Sequence, residues 1–196
     1  MAVGFPLKTT YANGDVYSAS DVNDTNGTVN LVGGTLISTT SFSAVSSQSI
    51  TSVFNSTYDD YFVTIDFTGS TAQDLRLRLR TTSDDSGSGT YYDHSFLWGS
   101  DGGSLNYASG SAGYQRLTFN NGTYQSHVNF VLASPNLSSL TNSTGRYIYL
   151  SSGGTVVYDG VQGMSTTTST QYTGFTIFPS TGTITGKVRV YGMRTA

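Results

Sequence analysis

The sequence predicts an all-β protein: an antiparallel β-sandwich of jelly-roll type, preceded by a short extended or helical N-terminal arm. Three observations carry that expectation. All twelve acidic residues are aspartate, glutamate is absent, and only Lys8 and Lys187 among the nine basic residues are lysines. Glu and Lys are the residues from which surface helices are usually built. In their place the chain is rich in Thr, Ser, Gly, Tyr, Val and Phe, which suit strands and tight turns. From Thr35 onward, short segments of period 2 alternate with Gly/Ser/Asn/Asp turns.

The arm, residues 1–34, comes first. "TYANGDVYSASDVNDTNGTVNL" (10–31) opens with an Asn13-Gly14 turn signal. Ser18 then reads as a helix N-cap, with Asp21 reaching back as in a capping box, and Asn26-Gly27 as the stop. So short a helix is unstable alone, because nucleation costs more than a few hydrogen bonds return. Val16, Tyr17, Val22, Val29, Leu31 and Val32 therefore need a surface from outside the arm, either its own β-domain or another subunit.

Residues 35–196 read as the β-sandwich domain. In "DYFVTIDFT" (60–68), Tyr61, Val63, Ile65 and Phe67 fall on one face. "DLRLRLRTT" (74–82) alternates Leu75, Leu77 and Leu79 with Arg76, Arg78 and Arg80, the clearest half-buried strand of the chain. Strands are also expected at 90–98, 115–119, 126–132, 146–152, 155–161, 172–179 and 186–194, with weaker ones near 35–42 and 48–54. At this spacing, about ten strands suit a sandwich, and short connections imply antiparallel pairing. A closed barrel is the alternative. Residues 84–89, 99–104 and 108–113 read as small, polar, flexible loops, and "NNGT" (120–123) and "SSGG" (151–154) as tight hairpin connections.

Composition narrows the function classes. A chain of 196 residues suffices for one domain with an appendage, burying roughly 70% of the unfolded surface. There is no cysteine, so no disulfide or thiolate metal site is available. A net charge of −3 and a pI near 5.0 argue against nucleic acid as a partner. No basic stretch leads into an apolar run at the N-terminus and no segment is apolar enough to span a bilayer, so neither an export signal nor membrane insertion is expected.

Chemistry-bearing motifs are scarce. His94 and His127 both lie within strand patterns, and Asp93 points away from His94, so no metal or cofactor is expected. Asp59-Asp60 diverge at a strand start, Asp84-Asp85 lie in a Gly/Ser loop, and no nucleophile elbow, P-loop or dinucleotide fingerprint occurs. No enzymatic activity is expected. Six Asn-x-Ser/Thr sequons, at Asn23, Asn26, Asn55, Asn121, Asn136 and Asn142, follow from a chain rich in Asn, Ser and Thr.

Two surfaces stand out. Arg76, Arg78 and Arg80 stand roughly 7 Å apart along one strand face, and must be solvated or meet acceptors. They are expected to form cross-strand pairs with aspartates such as Asp66, or intersubunit salt bridges; a site for acidic sugars is the functional alternative. Tyr91, Tyr92, Tyr107, Tyr114 and Tyr124 bracket the middle loops, where a receptor or glycan contact would lie.

"YANGDVYSASDVNDTN" (11–26) resembles the N-terminal segment of many tailed-bacteriophage virion proteins, in which a Gly-Asp/Glu-Val turn precedes a Thr/Ser-Ala-Ser-Asp-x-Asn helix start. The matching positions are Gly14, Asp15, Val16, Ser18, Ala19, Ser20, Asp21 and Asn23. "TGKVRVYGMR" is similar to the closing strand of phage fibre and accessory virion domains. The resemblance implies a virion structural protein on the particle exterior, expected as a homotrimer held to capsid, portal or tail proteins by its arm. Phe5, Tyr11, Val16, Tyr17, Asp21, Val22, Asn23, Val29 and Leu31 would form the attachment and oligomer interface. A short fibre or adhesin contacting host-surface glycans is the leading expectation. A capsid decoration or cement protein and a carbohydrate-binding or depolymerase module are the alternatives. No coiled-coil or collagen-like shaft follows the arm.

Overall fold

Twelve strands form in the computed structural model, which describes residues 34–84, 92–100, 106–150, 154 and 157–193, with backbone alone at 92–96, 100, 106, 107 and 121. In chain order they are β1 (Thr35–Val45), β2 (Gln48–Ile50), β3 (Asp60–Gly69), β4 (Ala72–Arg80), β5 (Tyr92–Ser100) and β6 (Asn106–Ala112). The second half supplies β7 (Gln115–Asn121), β8 (Ser126–Ala133), β9 (Asn142–Leu150), β10 (Val157–Thr166), β11 (Gly174–Pro179) and β12 (Ile184–Met193). The arm residues singled out above, from Phe5 to Val32, lie outside the described residues, as does Tyr91.

Period-2 alternation does what the sequence predicts. On β3, Tyr61, Val63, Ile65 and Phe67 are buried, and on β4 so are Leu75, Leu77 and Leu79. Each such side chain withdrawn from water contributes roughly 1.5–3 kcal/mol. The intervening residues turn to the outer face of their sheet.

Every pairing between strands is antiparallel, and the strands form two sheets. The large sheet has the order β1-β12-β3-β8-β9-β10-β5-β6, the small one β2-β11-β4-β7. With the hairpins β5–β6 and β9–β10 set aside, the eight remaining strands pair first with last. β1 pairs with β12, β2 with β11, β3 with β8 and β4 with β7. The β12–β3 and β11–β4 ladders complete the two sheets. Each step along those eight strands changes sheet except the one from β4 to β7, which are neighbours in the small sheet, and this is the connectivity of a jelly roll. The two hairpins are insertions that join through the β10–β5 ladder and attach through β9 to β8, widening the large sheet. The barrel alternative is not adopted.

The passage from β1 to β2 is made by a bulge. The β1–β12 register shifts between Phe42 and Val45, with Ala44 in the left-handed region at φ 51°. One extra residue there bends the strand out of the large sheet. Near the start of β3, the Tyr61 hydroxyl accepts from Asn55 N at 2.7 Å and donates to Asn55 O at 2.9 Å. Its ring packs on Phe54, 4.7 Å between centroids. A buried phenol thus fastens the β2–β3 connection to the core, and burial raises its pKa.

The inserted strands close the far end of the core. Phe119 of β7 lies 5.8 Å from Trp98 and 6.0 Å from Tyr149, and Tyr149 stacks on Tyr158 at 4.9 Å. Burial, then the neighbouring Tyr158, push the Tyr149 phenol up to about 12. The fit is close: a Cβ at Gly160 would stand 2.6 Å from the Tyr147 hydroxyl and collide with the Leu97 carbonyl. Beneath β7, the buried Gln115 amide donates to Ser143 Oγ at 3.0 Å and to Gln162 Oε1. These buried amides need one another, since an unpaired polar group away from water is costly.

Two local expectations are corrected. Residues 108–113, read as a flexible loop, are largely strand β6, because the free edge of β5 offers small residues a ladder from Tyr92↔Ala112 to Trp98↔Asn106. The "NNGT" turn is not a hairpin: it carries the chain from β7 in the small sheet to β8 in the large one. Gly122 there has φ +79° and its carbonyl accepts from Gly69 N at 2.8 Å.

Candidate functional site

The outer face of the large sheet carries a polar constellation drawn from several strands. The ladders set side by side Lys187, Asp66, His127, Ile148 and Asp159 in one transverse row. The adjacent row runs Arg189, Thr64, Asn129, Arg146, Val161 and Leu97. All are outward positions of alternating strands, so their functional groups meet although they come from six different strands.

Asp66 organises one half. Its Oδ1 lies 2.7 Å from His127 Nδ1, and its Oδ2 accepts from Arg189 Nη1 at 3.1 Å. Burial raises the Asp66 pKa, and the hydrogen bonds from His127 and Arg189 more than reverse this, holding the carboxyl below its ordinary value. Asn129 Nδ2 stands 3.4 Å from His127 Nε2. An amide nitrogen is a donor, so Nε2 accepts and Nδ1 carries the proton toward Asp66 in the neutral ring. The ring is held at both nitrogens, with an amide where a nucleophile's hydroxyl would sit in a catalytic triad.

The other half is open. Two shallow depressions of about 260 and 170 Å³ lie next to each other, and Arg146 and Asp159 line both. His127, Asn129 and Ile148 edge the first; Leu97, Gly99 and Val161 edge the second. Arg146 Nη2 and Asp159 Oδ2 are 3.8 Å apart, with side chains 73% and 62% exposed. A pair so exposed contributes only roughly 0–1 kcal/mol to stability, and both groups remain available to a ligand. Ile148, Val161 and Leu97 are each more than two-fifths exposed and form an apolar floor. Charged groups of both signs thus border an apolar floor, the mixed lining of a ligand site.

The arginine stripe lies on the opposite outer face, that of the small sheet, and its partners differ from those expected. Asp66 belongs to the large sheet and takes no part in it. Arg76 is 3.6 Å from Asp74 on its own strand, and Arg116 of β7 reaches the same carboxylate at 3.2 Å, a cross-strand pair. Arg80 is 3.5 Å from Asp84. Arg76 lies 4.2 Å above the Tyr114 ring and Arg78 4.6 Å above that of Phe178. The stripe is therefore an arginine–aromatic ladder with carboxylates at its ends.

The expected tyrosine cluster is divided. Tyr114 sits on the small sheet's outer face, edge-on to Phe178 at 6.2 Å. Tyr124 follows the opposite end of β7, against Gly154 of the β9–β10 connection. A strand of that length separates them by roughly 20 Å. Tyr92 and Tyr107 are placed by backbone only, opposite Ala112 and Leu97 respectively. Sequence reasoning missed the Asp66–His127–Asn129 group and the Arg146–Asp159 pair. The signal present was a polar residue at each outward strand position.

Comparison with known proteins finds no matching family model and no significant match among curated proteins or solved structures.

Proposed function

We propose that the chain is a non-enzymatic structural protein of a bacteriophage virion, a short fibre or adhesin-type appendage on the particle exterior. Its N-terminal arm attaches it to capsid, portal or tail proteins and to further copies of itself as a homotrimer. Its sandwich faces outward and contacts host-surface glycans through the trough around Arg146 and Asp159. Nucleic acid and membrane insertion play no part.

The observation that carries this reading is the jelly-roll connectivity, an architecture that serves viral capsid and lectin domains alike. The step from fold to function is an analogy. It is supported by the arm motif at 11–26 and the closing "VRVYGMR", whose residues up to Met193 end β12, an inner strand of the large sheet between β1 and β3.

The test is binding of the full chain to host cells and to polysaccharide extracted from them. Wild type is expected to bind, and a double variant, Arg146→Ala with Asp159→Ala, to lose about tenfold or more in affinity while melting near the wild-type temperature. Absence of binding by the wild-type chain, or equal binding by the variant, would contradict the adhesin reading.

A further inference from the structure

The centre of the arginine ladder differs from its ends. Arg76 and Arg80 each have a carboxylate neighbour, at Asp74 and Asp84. Arg78 stands between them on the same face of β4, and among the described residues no carboxylate pairs with it. Its orientation is nevertheless fixed. Nε donates to the Gly113 carbonyl at 2.9 Å, and the guanidinium lies over Phe178, carbon to ring centroid 4.6 Å. Holding Nε leaves the two terminal amino groups as the unspent side of the fork.

The surroundings favour an anion there. Among the described residues, Arg76, Arg78, Arg80 and Arg116 against Asp74 and Asp84 give this face four positive and two negative charges, a formal +2, on a chain of net −3. Stacking strips water from one side of the guanidinium, and a planar fork held in place loses little freedom when a two-oxygen acceptor arrives. Tyr114 beside Phe178 adds an apolar ring with a polar tip at the edge of the same patch.

We propose that Arg78 is the centre of an anion-binding site on the outer face of the small sheet, taking the carboxylate of an acidic sugar such as a uronic acid unit in a polysaccharide. The site is separate from the trough on the large sheet and does not depend on it. Arg78 donates to the carboxylate from its terminal amino groups, while Arg76 and Arg116, held by Asp74, add field without leaving their own partner.

The experiment is calorimetric titration of the full-length protein with oligogalacturonate, with the matching neutral oligosaccharide and inorganic phosphate as parallel probes. Oligogalacturonate is expected to bind, more weakly as salt rises, and the neutral sugar not to bind. Arg78→Ala and Arg78→Lys should each weaken it by about tenfold, Lys because it keeps the charge but loses the fork. Arg146→Ala, in the trough, should leave this binding unchanged, so failure of one site is distinguished from failure of the other. Equal binding by wild type and Arg78→Lys, or phosphate binding as tightly as the sugar acid, would overturn the assignment. Should Arg78→Ala fail to fold, the Lys variant decides.

Discussion

Asp66 and His127 face each other across the β3–β8 ladder, 2.7 Å from Oδ1 to Nδ1, while Arg189 of β12 holds the second carboxylate oxygen at 3.1 Å. One carboxylate thus ties three neighbouring strands of the jelly roll.

The pH dependence follows from its sign. Burial raises the Asp66 pKa, but the hydrogen bonds from His127 and Arg189 bring it below the ordinary value. A group whose folded pKa is depressed stabilises above its unfolded pKa, about 3.9 for Asp, and the gain is lost as pH falls through the folded value. Asp66→Asn should therefore be less stable than wild type between pH 5 and 7, by about 1 kcal/mol, with the gap closing below about pH 4. Urea denaturation of both proteins across a pH series measures it.

Tyr61→Phe removes a hydroxyl that accepts from Asn55 N and donates to Asn55 O. The ring still fills its place beside Phe54, so the change isolates the hydrogen bonds. A loss of about 1–3 kcal/mol is expected, read as a lower melting temperature with an unchanged circular dichroism spectrum.

Leu77 and Arg78 are adjacent on β4 and point to opposite faces. Leu77 is fully buried, so Leu77→Ala should cost about 2–5 kcal/mol. Arg78→Ala should cost about 1 kcal/mol or less, since it loses one hydrogen bond and one stacking contact at a partly buried site. Chemical denaturation of the two variants side by side checks the contrast.

How far the sequence is legible depends on how local the cause is. β3 and β4 are readable because burial of one face imposes period 2 on the residues themselves. β6 is not: "NYASGSA" has small side chains and no apolar alternation, and it becomes a strand because β5 presents an unpaired edge. The jelly-roll pairing of β1 with β12 and β2 with β11 joins segments more than a hundred residues apart, and nothing in either segment names its partner. The same gap explains Asp66. Its outward position on β3 is legible, yet choosing His127 rather than an arginine of β4 requires knowing which strand lies alongside. The buried amides of Gln115 and Gln162 were likewise invisible, since glutamine in a strand ordinarily faces water.

The most direct test of the account is cryo-electron microscopy of the intact particle, with the chain traced from Met1. The account predicts copies at a tail or vertex, arms buried against other virion proteins, and the sandwich projecting with the Arg146–Asp159 trough open to solvent. Copies that instead tile the capsid, each bridging neighbouring capsomers with the trough buried, would contradict it and make the protein cement.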